Sequence, residues 1–433
     1  MQEISAAPAA GVAARRTRAR FTVLGLMTFG TMCNYLDRAV LGVAAPAMSS
    51  DLALDPVKMG ILFSAFSWTY ALAQVPGGAF LDRIGTRLAY FWSVTLWSLF
   101  TLFQGLAQGL AQLLVFRLGL GIAEAPCFPA NSRILNAWFP QQERARATAV
   151  YSVGQYAGLA FLSPLLFWIV VHLGWRALFV IAGAAGLLFA VVWWREYREP
   201  HECQRVNELE LQKIRDGGGL ARSGPAAPFA WRNIGVLLRH RQILGASIGQ
   251  FAGNSTLVFF LTWFPTYLAT EREMQWLKAG FYAVLPFIAA SIGVLCGGWV
   301  SDALLKRSGS ATLARKLPIL TGLILASVIV AANYVDSNAA VIAVMSVAFF
   351  GQGMVNLGWT LITDVAPRTH IGLTGGVFNL FANLAGIVTP LVIGVIVSTF
   401  GSFYYALAYI AAVALLGALS YIFVVGEVRR VEL

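Results

Sequence analysis

An all-α polytopic membrane protein, with twelve transmembrane helices in two lobes of six, is the fold class that this sequence predicts. Three observations carry that prediction. Apolar residues make up 58% of the chain and charged residues only 12%, where a soluble domain is about 25% charged; mean hydropathy is +0.70. Apolar runs longer than the ~18 residues that mark a membrane-spanning helix recur from end to end. One long polar interruption, 195–241, divides these runs six and six. A transmembrane β-barrel would need alternating segments of ~10 residues, and the sequence does not contain them.

The predicted spans are 20–47, 57–81, 88–107, 110–137, 146–171, 176–194, 242–269, 277–301, 317–335, 339–363, 371–399 and 403–425. The organisation expected from them is a tail over 1–19, an N-terminal lobe over 20–194, a linker over 195–241, a C-terminal lobe over 242–425 and a tail over 426–433. The net charge of +11 is distributed as the positive-inside rule requires, not as a nucleic-acid footprint, and no nucleic-acid partner is expected. Arg15, Arg16, Arg18, Arg20, Arg83, Arg87, Arg144, Arg146, Lys306, Arg307, Arg315, Lys316, Arg368, Arg429 and Arg430 fall on one side, with nine more basic residues in the linker. Lys58, Arg176, Arg272 and Lys278 fall on the other. This asymmetry predicts that both termini are cytoplasmic.

The first apolar run outlasts a signal-peptide core and lacks a cleavage site, so no cleavable signal is expected. Cys33, Cys127 and Cys296 lie in spans and Cys203 in the linker, without metal or disulfide spacing. His172, His201, His240 and His370 show no ligand spacing either, so neither a metal nor a cofactor is predicted. No glycine loop for phosphate and no nucleophile constellation occurs, which argues against an ATP-driven pump or an enzyme. In the linker, "VNELELQKIRDGGG" places Val206, Leu209 and Ile214 at helical spacing before a triple-glycine stop. A short surface helix and a flexible tether, "GLARSGPAAP", are expected there.

The two halves repeat one another. After span 2 comes "GGAFLDRIGTR", with Gly78, Asp82, Arg83, Gly85 and Arg87; after span 8 comes "GGWVSDALLKR", with Gly298, Asp302, Lys306 and Arg307. Glycine permits close helix approach, and an acid at a helix end finds cationic partners, so the pair reads as a latch closing the cytoplasmic side. Ser163-Pro164 and Thr389-Pro390 echo each other further on. A parallel repeat of six helices is the signature of a two-lobed transporter with its site between the lobes.

These motifs resemble the major facilitator superfamily. More narrowly, "NYLDRAVLGVAAP", "FSAFSWTYALAQVPGGAFLDRIGTR", "GIAEAPCFPANSRILNAWFP" and "GLTGGVFNLFANLAGIVTP" resemble its anion:cation symporter family, over essentially residues 20–430. The resemblance is greatest to bacterial proton-coupled transporters of sugar acids such as galactonate, glucarate and galactarate. It implies import driven by the proton gradient, in the bacterial inner membrane, by a monomer.

Few ionisable residues lie inside the predicted spans: Asp37 and Arg38 on span 1, and Arg117, Glu124 and Arg133 on span 4, with Asp364 at the end of span 10. An intramembrane charge is costly and therefore a functional candidate. Arg117 and Glu124 are two turns apart on one helix face, while Asp37 and Arg38 point about 100° apart. Two acids and two arginines balance only when both acids are ionised, so protonating them leaves positive charge to receive an anion. The resemblance implies Asp37 and Glu124 as proton carriers, Arg38 as the contact to a substrate carboxylate and Arg117 as the partner of Glu124. Arg133 sits near the span end and is expected to snorkel.

Hydroxyl recognition needs neutral amides and phenols. Candidates sharing helix faces are Tyr70 with Gln74, Gln250 with Asn254, Asn356 with Thr360 and Thr363, and Asn379 with Asn383; Gln155 lies on span 5. The resemblance singles out Tyr70, Gln155, Trp359, Thr360 and Asn379 as substrate contacts. Competing readings are an exporter or proton antiporter of another organic anion, a membrane sensor on the same fold, and sodium coupling through Asn34 and Asp37. The adjacent arginine disfavours sodium.

Overall fold

The computed structural model describes residues 17–219, 231–367 and 371–432. Arg15, Arg16, Arg368, His370 and most of the expected flexible tether lie outside the described residues. Apart from short turns, the described chain is helical: α1 Ala19–Asp51, α2 Pro56–Ile84, α3 Thr86–Gln104, α4 Leu110–Glu124, α5 Cys127–Trp138, α6 Gln141–Glu196, α7 Glu208–Asp216 and α8 Trp231–Arg239. Then follow α9 Arg241–Thr262, α10 Phe264–Thr266, α11 Trp276–Ser308, α12 Ala311–Ser327, α13 Asn338–Val355, α14 Gly358–Val365, α15 Ile371–Phe400 and α16 Tyr404–Leu419.

Among the described residues, eight helices are long and apolar enough to cross a membrane. One of them, Arg146–Glu196, is two crossings joined at Gly174, and α1, α2 and α3 add 33, 29 and 19 apolar-rich residues. The result is the twelve rods that the sequence predicts. Gly174 (φ 84°, ψ 164°) and Gly85 (φ 82°, ψ 164°) adopt the same positive-φ conformation at two sharp reversals, which only glycine takes at little cost. At the opposite end of α2, the Asp55 carboxylate accepts from the Lys58 N–H at 2.8 Å and Pro56 supplies a pre-set φ at the first position.

Several predicted spans are broken. The fourth divides at Ala125-Pro126 into α4 and α5, because Pro126 cannot supply an N–H to the turn before it. The tenth divides between Val355 and Gly358, the seventh ends in a π turn at Tyr267–Glu271, and the ninth ends in a 3₁₀ turn at Val328–Tyr334. Helix α8 lies where the sequence reading placed only linker.

The lobes meet along α2 with α15, α6 with α11, and α1 with α9. Helices α2 and α15 run antiparallel: Gly60 abuts Pro390, Gly394 abuts Pro56, and Ser67 abuts Gly386. Likewise a Cβ on Gly42 would collide with the Leu261 carbonyl. Further along the same seam, Gly78, Gly375 and Gly376 have no atom within 4 Å of where a Cβ would stand. The lobes therefore close together at one end and splay at the other, the end at which α1 begins.

At that splayed end the predicted surface helix, α7, is bound to the N-terminal lobe. Ile214 is fully buried beside Trp138 and Phe139 in the lobe's core. Glu210, also fully buried, accepts from Arg20 Nη1 at 2.8 Å, Thr17 Oγ1 at 2.6 Å and the Ala19 N–H at 3.0 Å. Glu143 joins Lys213 at 2.5 Å and Arg20 at 3.0 Å. Burial acts to raise the Glu143 carboxyl, but the Lys213 hydrogen bond and the Arg20 charge outweigh it and hold it below its ordinary value of 4.5.

Removing one partner of a buried pair costs about 3–5 kcal/mol. Glu210→Ala is therefore expected to free α7, seen as faster proteolysis within 197–219 and a lower melting temperature in detergent. A protease pattern identical to wild type would show that α7 is held by apolar contact alone. Because Glu143 has a depressed value, its contribution is present above pH 4.5 and is lost as pH falls through the folded value. The same proteolysis should accelerate below that pH in wild type.

Candidate functional site

The site grows from the packing of α1, α2 and α4. Gly121 on α4 has no room for a side chain, since a Cβ there would strike Thr69 and the Phe66 carbonyl of α2. The Thr69 hydroxyl donates to the Leu118 carbonyl at 2.7 Å. This close approach sets the Phe66 and Tyr70 rings, stacked with centroids 5.1 Å apart, beside the buried charges of α1 and α4.

Those charges pair in a way the sequence did not indicate. Arg38 donates Nη2 at 2.9 Å and Nε at 3.1 Å to the same oxygen, Glu124 Oε2. Glu124 Oε1 is buried without a hydrogen-bond partner. The expected ion pair between Arg117 and Glu124 is not formed; Arg117 Nε and Nη1 are buried without partners. The reason is geometric. Two turns of one helix separate the two residues, whereas Arg38 reaches Glu124 from the neighbouring helix. Arg38 also lies over the rings of Phe66 (4.7 Å), Tyr70 (4.9 Å) and Tyr35 (5.2 Å), and Arg117 lies over Phe66 at 5.4 Å. One ring thus carries both guanidinium groups.

Between the lobes is a cleft lined by Tyr35, Arg38, Phe63, Phe66, Ser67 and Arg117. The C-terminal lobe contributes Asn254, Leu257, Val258, Leu261, Thr262, Ala382, Asn383 and Gly386. One wall is cationic and aromatic; the other is apolar and amide-bearing, with Asn254 Nδ2 donating to the Ala382 carbonyl at 2.5 Å. That combination suits a small anion with hydroxyl groups.

Of the residues singled out beforehand, Arg38 and Arg117 line the cleft, and Glu124 and Tyr70 stand directly behind them. Asp37 is 5% exposed and does not line it. Gln155 is buried on α6 beside Tyr156, whose hydroxyl sits 3.3 Å from both Gln352 Oε1 and Asn356 Nδ2 across the lobe boundary. Asn379 lies one turn from Asn383 toward the splayed end, about 6 Å along the helix. Trp359, 40% exposed, packs edge-on against Phe378, and Thr360 follows it; Asn379, Trp359 and Thr360 do not line the cleft. Tyr35, Phe66 and Ser67 were missed, because a tyrosine, a phenylalanine or a serine in an apolar run carries no signal of its own.

The repeated loops differ between lobes. Asp82, with a side chain 79% exposed, pairs with Arg133 at 3.3 Å inside its own lobe. Arg133 Nη1 also lies 3.4 Å from the Leu81 carbonyl, so it ties α2 to α5 rather than snorkelling freely. Arg83 is exposed, and Arg87 lies 4.0 Å over the Trp194 ring and donates to the Trp194 carbonyl at 2.6 Å. In the second lobe the tie is Arg315, bonded to Asp364 at 2.8 Å and Ser301 at 2.7 Å. Among the described residues Asp302 is exposed and makes no ion pair.

A family model described as Major Facilitator Superfamily matches residues 27–360. A D-galactonate transporter of Escherichia coli O6:H1 is 44% identical, with 97% of this chain and 98% of that protein covered. A probable galactarate/D-glucarate transporter of Escherichia coli strain K12 is 42% identical over 99% and 98%, and a hexuronate transporter of Bacillus subtilis is 31% identical over 89% of each chain. Among solved structures, a bacterial homologue of the human lysosomal transporter Spinster, inward-facing and occupied, matches with a TM-score of 0.71 at 21% identity, over 94% of this chain and 97% of that one.

Phe66→Leu keeps an apolar side chain but removes the ring shared by two guanidinium groups. Each cation–π contact is worth about 0.5–2 kcal/mol, so thermal stability in detergent should fall by roughly 1–3 kcal/mol. Unchanged melting would show that the ring does not hold the arginines.

Proposed function

We propose that this chain, which belongs to the major facilitator superfamily, is a proton-coupled symporter that imports a sugar acid by alternating access. It is a multi-pass membrane transporter and not an enzyme. The observation that carries the proposal is the Arg38–Glu124 pair at the cleft wall. Arg38 is the natural receptor for a carboxylate, because its planar fork matches two oxygens. In the empty site its Nε and Nη2 are already committed to Glu124. Substrate carboxylate and Glu124 therefore compete for the same donors.

A proton on Glu124 ends the competition. The neutral acid releases the guanidinium, and an entering carboxylate replaces it. Arg117, unpaired and facing the cleft, supplies a second positive charge. After substrate leaves, Arg38 pairs again with Glu124 and lowers its hold on the proton. Asp37 is the second proton carrier in this scheme. Tyr70, Gln155, Trp359, Thr360 and Asn379 contact substrate as the lobes close around it, joined by Asn254 and Asn383 on the apolar wall.

The names of the relatives support an aldonate or aldarate as cargo. Excess basic charge beside the splayed end supports cytoplasmic termini, so the cleft faces the cytoplasm here. Gly78, Asp82, Arg83, Gly85, Arg87 and Asp302 then form the gate that meets when the cleft closes to the cytoplasm. The bacterial inner membrane is the proposed location, and a monomer the working unit, since every element of the site comes from one chain.

Arg38→Lys preserves charge but not the fork. Losing a charge-assisted bond costs about 1.5–3 kcal/mol, so affinity for galactonate or glucarate, measured by calorimetry, should drop roughly ten- to a hundredfold. Near-normal affinity would remove the carboxylate role from Arg38. Glu124→Gln holds the neutral form permanently and should keep substrate binding while abolishing accumulation against a gradient. Active uptake with ordinary pH dependence in that variant would rule out Glu124 as the coupling carrier.

Charge balance gives a further check. If both acids are protonated for each monoanion carried inward, one net positive charge crosses per cycle, worth ~2.3 kcal/mol per 100 mV. Uptake of an aldonate into proteoliposomes should rise when potassium and valinomycin set the interior negative at fixed pH. Voltage-independent uptake would exclude the two-proton scheme.

A further inference from the structure

Helix α6 presents one buried phenol to the opposite lobe. Its Gly154 and Gly158 lie on the face packed against α1, where a Cβ would strike Thr28 and Met32. Tyr156 stands about 200° round the helix from each of them, so it points away from its own lobe. It is fully buried. Its ring lies edge-on to Phe349 of α13 at 5.9 Å, and Phe349 stacks on Phe260 of α9 at 4.0 Å. The hydroxyl uses both of its capacities there: it donates to Gln352 Oε1 and accepts from Asn356 Nδ2, each at 3.3 Å. The ring alone would fill the aromatic pocket. The hydroxyl ties the ring to one particular turn of α13.

That turn is where the tenth span breaks. Helix α13 ends at Val355 and α14 starts at Gly358. The turn between them closes on Asn356, whose carbonyl accepts the Trp359 N–H at 3.2 Å. The far end of α14 is held inside its own lobe: Asp364 bonds Arg315 at 2.8 Å, and the Val365 carbonyl accepts the Val431 N–H at 2.9 Å. Helix α14 is therefore a short lever, anchored at Val365 and set at its other end by the turn at Asn356. That other end carries Trp359 and Thr360. Neither lines the cleft, so contact with a substrate there requires that end to move.

We propose that Tyr156 is a positioning residue that links the substrate contacts of the two lobes: through Asn356 it sets the turn before α14, and so carries Trp359 and Thr360 toward the cleft as the N-terminal lobe moves. Its neighbour Gln155 is the proposed substrate contact on α6. Two consecutive residues thus hold the substrate on one lobe and the joint of the other. The inference rests on the sugar-acid reading, which is what requires Trp359 and Thr360 to reach the cleft. Tyr156 itself touches no substrate.

The reporter is Trp359, followed by fluorine NMR in full-length protein labelled with 5-fluorotryptophan, its resonance assigned by Trp359→Phe. Titration with D-galactonate or D-glucarate should move this resonance in the wild type. Tyr156→Phe keeps the ring and removes the hydroxyl. It should shift the resonance of the empty protein and raise the substrate concentration at half-change roughly two- to tenfold, the scale of one hydrogen bond. Asn356→Ala should do the same, and the double variant should lose no more than either single one, because both remove one link. A tyrosine that only packs the lobes together would lower the melting temperature in detergent and leave the titration midpoint unchanged. That result, additive losses in the double variant, or a Trp359 resonance that bound substrate leaves unmoved would each overturn the proposal. A wild-type protein that binds neither sugar acid by calorimetry would instead sink the sugar-acid reading. The Trp359 shift of empty Tyr156→Phe, which needs no substrate, would still decide whether the hydroxyl sets the turn.

Discussion

The ion pair between Arg38 and Glu124 is the constraint around which the cleft is arranged. It joins α1 to α4 within the first lobe, with the carboxylate fully buried and the guanidinium partly open to the cleft. A pair of this kind is poor evidence for stability, because desolvation cancels much of the attraction. In the proposed cycle its value lies in being breakable by one proton or one competing carboxylate. The surroundings favour that use. Phe66 lies against both guanidinium groups, Gly121 lets α2 approach closely enough to place that ring, and Glu124 Oε1 has no partner to lose.

The two lobes divide the work unequally. All the charge deep in the spans belongs to the first, while the second offers the amides of Asn254 and Asn383 and an apolar wall. Under the proposed mechanism such a division keeps the electrostatic switch inside one lobe, so that movement between the lobes does not tear ion pairs apart. The seam between α2 and α15 is suited to the proposed rocking. Gly60, Gly386 and Gly394 lie in close contact at one end, and Gly78, Gly375 and Gly376 stand free at the other. Helix backbones without side chains between them part and meet again at small cost.

Much was legible because membrane physics writes itself into sequence. The rods follow from apolar length, the two lobes from the repeat of "GGAFLDRIGTR" in "GGWVSDALLKR", and the candidate site from four charged residues in lipid-length runs, where charge is costly. What escaped was partnership. Arg117 and Glu124 share a helix face, yet Glu124 bonds Arg38. Asp302 repeats Asp82 in sequence, yet the second lobe ties its helices through Arg315, Asp364 and Ser301. Helix α7 has the pattern of a loose surface element, yet buries Glu210 completely.

The sequence by itself determined that the chain is a bundle of membrane-length helices and which residue types the candidate site would use, since each follows from the cost of placing a polar group in lipid at a given position along the chain. Tertiary structure decided which acid meets which base, which amides face the cleft, and which end of the seam is open. Those depend on distances between helices far apart in the chain, set by steric details such as Gly121 against Phe66 and Gly42 against Leu261. A glycine in an apolar run says that something comes close. Only the fold says what.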